Sequence, residues 1–310
     1  MNLRYAANDA RQMQDVVTKL LSARGAFEVV GVPLVSDYEV HLPDGRVVAA
    51  QDATPEELKL GQKVTTINQA TKENVRAVLE LLAGKRVDAE RLKNIPNADS
   101  LKLARPDDMV ILTFSSHGYA DANGVFYIVP SDTGTDKLLS AEFLRHCISS
   151  DDLGQWLRDV DAGEMVMVVD ACHSAAVAGT NFKPGPMGSR GLGQLAYDKG
   201  MRILTATQTD NIALETNQVR QGLLSYALVQ NGLKEEKANY LPHDDKITLA
   251  EWLSYGVVRV PELYADMRSG HLGKELTLEE VSGTANEKLQ QPSLFDFARR
   301  RREVLLVNNF

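Results

Sequence analysis

The chain has 310 residues, 44% of them hydrophobic, enough for one large core or two modest ones, and a formal net charge of −8. That acidity argues against nucleic acid or an anionic membrane as the main partner and suits basic peptides. No apolar run approaches a membrane span, residues 1–25 are mixed and charged unlike a secretory signal, and the two cysteines, Cys147 and Cys172, are too few for a disulfide framework, so a reducing, cytoplasmic setting is expected.

In chain order, Asn8–Leu21 predicts an amphipathic helix with Met13, Val16, Val17, Leu20 and Leu21 on one face, and Asp9 taken alone reads as its N-cap. Phe27–Val35 predicts a short strand, and Tyr38–Ala49 a hairpin turning at Pro43-Asp44-Gly45. Thr71 is placed to cap a helix whose face is Val75, Val78, Leu79 and Leu82, closed by Gly84. Lys85–Asp108 is polar, holds two prolines and reads as a surface connection. A strand at Val110–Gly118, an extended piece at Val125–Pro130, helices over Ser140–Ser149 and Asp152–Val160, and a strand at Val166–Ala175 follow.

Ala178–Gly200 is rich in glycine, with two prolines and little periodicity, and predicts a mobile loop. Beyond it, Met201–Thr207 predicts a strand, and Gly222–Gly232 and Thr248–Leu263 helices, separated by a polar turn at His243–Asp245. The basic run Arg299–Arg302 reads as a solvated face, ahead of a candidate edge strand at Val304–Val307. Alternating strands and helices make an α/β sandwich around a mostly parallel sheet the expected class. There is no internal repeat, and Gly84-Lys85 lacks the spacing of a phosphate-binding loop.

Two stretches carry chemistry: VILTFSSHG at Val110–Gly118 and VMVVDACHSA at Val166–Ala175. Each is an apolar, β-branched run, read as a buried parallel strand, that stops at reactive side chains where open α/β sheets place their sites. A thiol with an ordinary pKa of about 8.5 is mostly protonated at neutral pH and needs a base. His117, from the neighbouring strand end, suits that task with Cys172 better than the sequence-adjacent His173, whose side chain alternation turns away. Gly118 leaves room for a substrate carbonyl, and its N–H with that of Cys172 would form an oxyanion hole. Zinc would need about four N or S ligands, and Cys172, His117 and His173 lack the paired spacing. Cys147, on a predicted helix, reads as a small buried hydrophobe.

The SHG and DACHSA segments resemble the caspase–metacaspase superfamily of cysteine peptidases, in motif and in His-to-Cys order. LRYAANDARQM at Leu3–Met13 resembles the family's first helix, and TATQTDNIALE at Thr205–Glu215 and GLLSYAL at Gly222–Leu228 its smaller-subunit half. The nearest flavour is bacterial: the metacaspase-like proteins called orthocaspases. The resemblance covers most of residues 1–265. It implies a caspase-hemoglobinase fold, an α/β/α sandwich, with halves at 1–177 and 201–265 joined by the 178–200 loop, and a C-terminal extension at 266–310. It also implies Cys172 as nucleophile, His117 as base, and an acidic primary pocket of Asp9, Ser115 and Asp170 for arginine or lysine. Physically, paired carboxylates suit a guanidinium fork, and a carboxylate ending a buried apolar strand, as Asp170 does, needs a reason. Members are often cut during activation in the loop region, which makes Lys183, Arg190 and Lys199 self-cleavage candidates beside the reading of an uncut loop.

Three departures bear on this. The family opens with a strand ahead of the LRYAANDA helix, and this chain begins without one: an upstream segment is missing, the tail strand fills an edge, or the strand is supplied elsewhere. Ala176–Thr180 lacks the aspartate that accompanies calcium dependence, so Asp132 would be short of metal-binding company and no metal or other cofactor is expected. Ala175 stands where glycine is commoner. Three functional readings stay open: an autonomous cysteine endopeptidase for basic sites, the same enzyme gated by a sensor or protease partner, and a weakly active module that works by protein interaction.

Overall fold

The computed structural model describes residues 5–23, 27–121, 123–134, 138–172, 190–206, 215–216, 221–269, 290–298 and 305–308. The chain is built from a helix α1 (Ala6–Ser22), strands β1 (Ser36–His41) and β2 (Val47–Ala49), helix α2 (Pro55–Leu60), β3 (Gln62–Asn68), α3 (Lys72–Leu82) and a short α4 (Ala89–Leu92). Then come β4 (Met109–Ala120), β5 (Phe126–Val129), α5 (Ala141–His146), β6 (Ile148–Ser149), α6 (Ser150–Leu157) and β7 (Glu164–Cys172). The remainder is α7 (Arg190–Lys199), β8 (Arg202–Thr205), β9 (Glu215–Thr216), β10 (Gln221–Gly222), α8 (Leu223–Tyr226), β11 (Lys246–Thr248), α9 (Leu249–Ser269), β12 (Ser293–Asp296) and β13 (Leu305–Asn308). Helix α8 runs on as a π-helix over Ala227–Lys234.

Local chemistry starts these helices where the sequence asks for it. Thr71 caps α3 by accepting from the Asn74 amide at 3.2 Å, as predicted. Thr54 and Glu57 form a capping box on α2, with Pro55 at its first turn, and Ser149 and Asp152 do the same on α6. Gly45, in the predicted hairpin turn, takes φ +87°, which a side chain would resist. A third strand, β3, joins that hairpin to give the order β2-β1-β3.

The main sheet has six strands in the order β12-β8-β7-β4-β5-β6. The inner strands β8, β7 and β4 run parallel, while β12, β5 and β6 pair antiparallel at the two sides. Strand alternation divides β7 between two cores. Val166 and Val168 pack with Met13, Val17 and Leu21 of α1 and with Leu224, Leu228, Trp252 and Leu253. Met165, Met167 and Val169 pack on the other side with Leu153, Trp156, Leu192 and Leu195 of α6 and α7. The result is the expected α/β/α sandwich.

Four expectations are corrected. Asp9 is not the cap of α1: the N-cap is Tyr5, whose side chain makes no capping bond to the helix, and Asp9 is a buried residue within the first turn. Phe27–Val35 forms no strand; a cavity of about 1040 Å³, lined by Val29, Val32, Ala10, Leu79, Ile111 and Phe114, lies beside it, and a strand needs a neighbouring edge within about 5 Å. Residues 190–199 are helix rather than loop, because Leu192, Leu195 and Ala196 recur at helical spacing and bury against the sheet. The tail strand β13 pairs with β11 in a separate two-stranded sheet instead of filling an edge of the main one.

Strand β4 is also less buried than its sequence predicts. Over Met109–Ser116 its pairing partner is β7 alone among the described strands; β5 joins only from His117 onward. Ile111, Leu112 and Phe114 are accordingly half-buried and Thr113 is exposed, whereas Met165–Ala171 of β7 are all buried. On the far side of the sheet, β12 comes from the stretch read as an extension and forms an integral edge strand. Among the described residues, no helix is long and apolar enough to cross a membrane.

Candidate active site

Parallel pairing of β4 with β7 sets the site. The register runs from Met109 opposite Glu164 to Ser115 opposite Asp170 and His117 opposite Cys172. The predicted base and nucleophile are therefore neighbours on adjacent strands, at the carboxyl-terminal rim. His117 is half-buried and also pairs with Val129 of β5, so its backbone is held from both sides. Ser116 adds a hydrogen bond from its hydroxyl to the Val129 carbonyl.

Gly118 is a packing requirement as much as an opening. A Cβ there would stand 2.6 Å from Cζ of Phe126 and 2.9 Å from Cβ of Ala171, closer than such atoms approach. Only glycine lets β4 pass between them with His117 in place.

The three residues assigned to the acidic pocket come together. Ser115 donates from its hydroxyl to Oδ2 of Asp9 at 3.1 Å, joining α1 to β4 across 106 positions of sequence. Asp9 is 2% exposed and Asp170 5%, so both carboxylates are withdrawn from bulk water. The amide of Gly222 donates to both Asp9 oxygens, at 3.2 Å each. Ser225 donates to Oδ2 of Asp170 twice, from its amide at 3.0 Å and its hydroxyl at 2.7 Å. Burial pushes the Asp170 carboxyl above its usual range, and the two Ser225 bonds pull the other way.

Gly222 and Ser225 were not singled out as site residues by sequence reasoning. Their partners lie 213 and 55 positions away, and no spacing rule links such distant residues. The nearest signal was the GLLSYAL segment itself, which contains both.

Other predicted residues fall elsewhere. Arg190 opens α7 and Lys199 ends it, with the Lys199 ammonium bonded to the carbonyls of Arg158 and Val160 at 3.1 Å each. His173, Lys183, Ala176–Thr180 and Arg299–Arg302 lie outside the described residues. Asp132 accepts from the Lys72 amide at 3.2 Å, at the start of α3, and no cluster of metal-ligating side chains occurs among the described residues. Cys147 is fully buried at the end of α5, and burial pushes its thiol up to about 12.

A family model described as the caspase domain, peptidase family C14, matches residues 1–248. That span takes in β4, β7, α8 and every residue of the acidic cluster, and ends as α9 begins. No curated protein matches the chain.

Proposed function

Because the chain belongs to the caspase-domain family of cysteine peptidases, we propose that it is an endopeptidase cutting after arginine, or lysine, through a Cys172–His117 dyad. The observation that carries this reading is that one strand pair supplies both halves of the chemistry: His117 opposite Cys172, and, two positions earlier, Ser115 opposite Asp170 in the acidic pocket.

In this reading His117 takes the thiol proton as the Cys172 sulfur attacks the scissile carbonyl carbon. The N–H groups of Gly118 and Cys172 receive the oxyanion. As the C–N bond breaks, the imidazolium returns its proton to the leaving amine. Water, deprotonated by His117, then displaces the thiolate from the acyl-enzyme and releases the new carboxyl end. Asp9, Ser115 and Asp170 select the residue before the cut, since paired buried carboxylates favour a cation and repel an acidic side chain.

In the same reading the enzyme is of the bacterial orthocaspase kind and acts in the cytoplasm without a metal or other cofactor, with its halves at 1–177 and 201–265; the SHG and DACHSA motifs support this. Self-processing at Lys183 or Arg190 belongs to the same reading; Lys199 fits it less well, being tied down at a helix end. Gating by a sensor or protease partner is favoured by the open side of β4, because the strand that carries His117 has a described neighbour on one side only over Met109–Ser116.

The test is turnover of fluorogenic peptides ending in Arg, Lys or Asp by wild type and Cys172→Ala, with and without calcium. Cleavage after Arg and Lys that vanishes in the variant supports the dyad and the pocket together. Cleavage after Asp would refute the pocket, and silence from folded protein would refute autonomous activity.

A further inference from the structure

Resting on the basic-residue reading above, we propose that Ser225 is a positioning residue of the primary pocket: it grips the Asp170 carboxylate by Oδ2 and so presents Oδ1 to an arginine guanidinium, while Gly222 lets Asp9 and Asp170 converge on that one ligand.

Both Ser225 donors go to the same oxygen, at 3.0 and 2.7 Å. Among the described residues no other group donates to this carboxylate. An ionised carboxyl has about four lone-pair sites and fills them in water. Held through one oxygen in a buried place, Asp170 keeps the other as a standing acceptor. Gly222 completes the arrangement from the opposite direction. Its amide faces Asp9, and a Cβ on it would stand 2.6 Å from Oδ2 and 3.4 Å from Oδ1 of Asp170. Two carboxylates thus meet across a residue with no side chain.

The same contacts admit a purely structural account, in which Asp170 merely satisfies the first turn of α8, whose N-cap Gly222 has no side chain to do so. The two accounts differ in what the Ser225 hydroxyl is for. A helix turn needs only the amide bond. A bidentate guanidinium needs its acceptors held in fixed directions, whereas an ammonium is a compact charge that tolerates rotation. Removing the hydroxyl should therefore hurt arginine substrates more than lysine substrates.

The experiment measures kcat/KM against pH for matched Arg and Lys peptides, in wild type, Ser225→Ala, Ser225→Thr and Gly222→Ala. Calorimetric binding of agmatine, a free guanidinium, to Cys172→Ala and to Cys172→Ala/Ser225→Ala runs beside it. Ser225→Ala should lower kcat/KM for Arg about tenfold, mainly through KM, and lower the Arg-to-Lys ratio. It should also move the acidic limb to higher pH, because Asp170 loses a bond that favours its ionised form. Ser225→Thr, which keeps the hydroxyl, should restore both; Gly222→Ala should weaken Arg as well. An unchanged Arg-to-Lys ratio and acidic limb in folded Ser225→Ala, with agmatine bound as tightly, would overturn the inference alone. Failure of the Cys172→Ala protein to bind agmatine would overturn the basic pocket, and the inference with it.

Discussion

His117 and Cys172 are register partners across a parallel strand pair, and Gly118, the next residue, has no space for a side chain. The position of His117 is thus tied to a packing constraint one residue away. Gly118→Ala would press a methyl into Phe126 and Ala171, an overpacking that costs about 1–3 kcal/mol. We expect a lower Tm together with a loss of activity larger than the stability change explains, because β4 must shift where it carries His117. Adding Phe126→Leu should recover Tm; if the single variant unfolds like wild type, the close approach is not what fixes this glycine.

In the proposed pocket Asp170 would serve substrate binding at a cost in stability. Its carboxyl is raised by burial, so the folded protein holds that proton more tightly than the unfolded chain. The stability it contributes is complete below the unfolded pKa and is lost as pH rises through the folded value. Asp170→Asn removes this loss while leaving an oxygen for both Ser225 donors. The variant should gain stability relative to wild type on going from pH 4 to pH 7, and lose cleavage after arginine by about a hundredfold or more. Urea unfolding of both proteins across that range decides it; parallel curves would mean that Asp170 is not the buried carboxylate that sets the slope.

The sandwich and the strands that carry His117 and Cys172 were legible because they rest on local signals. An unbroken valine-rich run predicts β7, and helix caps such as Thr71 announce themselves within four residues. What escaped depends on partners distant in sequence. Asp9 has the look of an N-cap, and only the fold reveals the Gly222 amide and the Ser115 hydroxyl that hold it inside. Phe27–Val35 has strand propensity, but propensity without an adjacent edge makes no strand. The glycines and prolines of residues 178–200 concealed the Leu192–Leu195–Ala196 stripe that builds α7.

The two cysteines should differ sharply in reactivity. Cys147 is fully buried with a thiol pushed up to about 12, so almost no thiolate is available at pH 8. Iodoacetamide should therefore label wild type once, at Cys172, and leave Cys172→Ala unlabelled until denaturant is added. Mass spectrometry of the two proteins reads this directly. Modification of Cys147 in folded protein would require a local opening of the α5–β6 region.

The edge strand β12 lies beyond the family-matched span, yet it pairs with β8 and adds an ion pair to it. Arg202 of β8 reaches Glu164 of β7 and, at 3.2 Å, Asp296 of β12. Glu164 and Arg202 are nearly solvent-free, while the Asp296 side chain is 43% exposed. Burial raises the Glu164 carboxyl, and Arg202 counters it. The two contacts should therefore respond differently to deletion. Arg202→Met strands a buried carboxylate and should cost about 3–5 kcal/mol, with the deficit shrinking at low pH as Glu164 takes up a proton. Asp296→Ala removes a half-exposed partner and should cost less than about 1 kcal/mol. In Arg202→Met/Glu164→Leu no buried charge is left unpaired, Asp296 being half-exposed to water, and most of the lost stability should return. If the double variant is as weak as Arg202→Met, the damage comes from lost packing between β7, β8 and β12 rather than from the stranded charge.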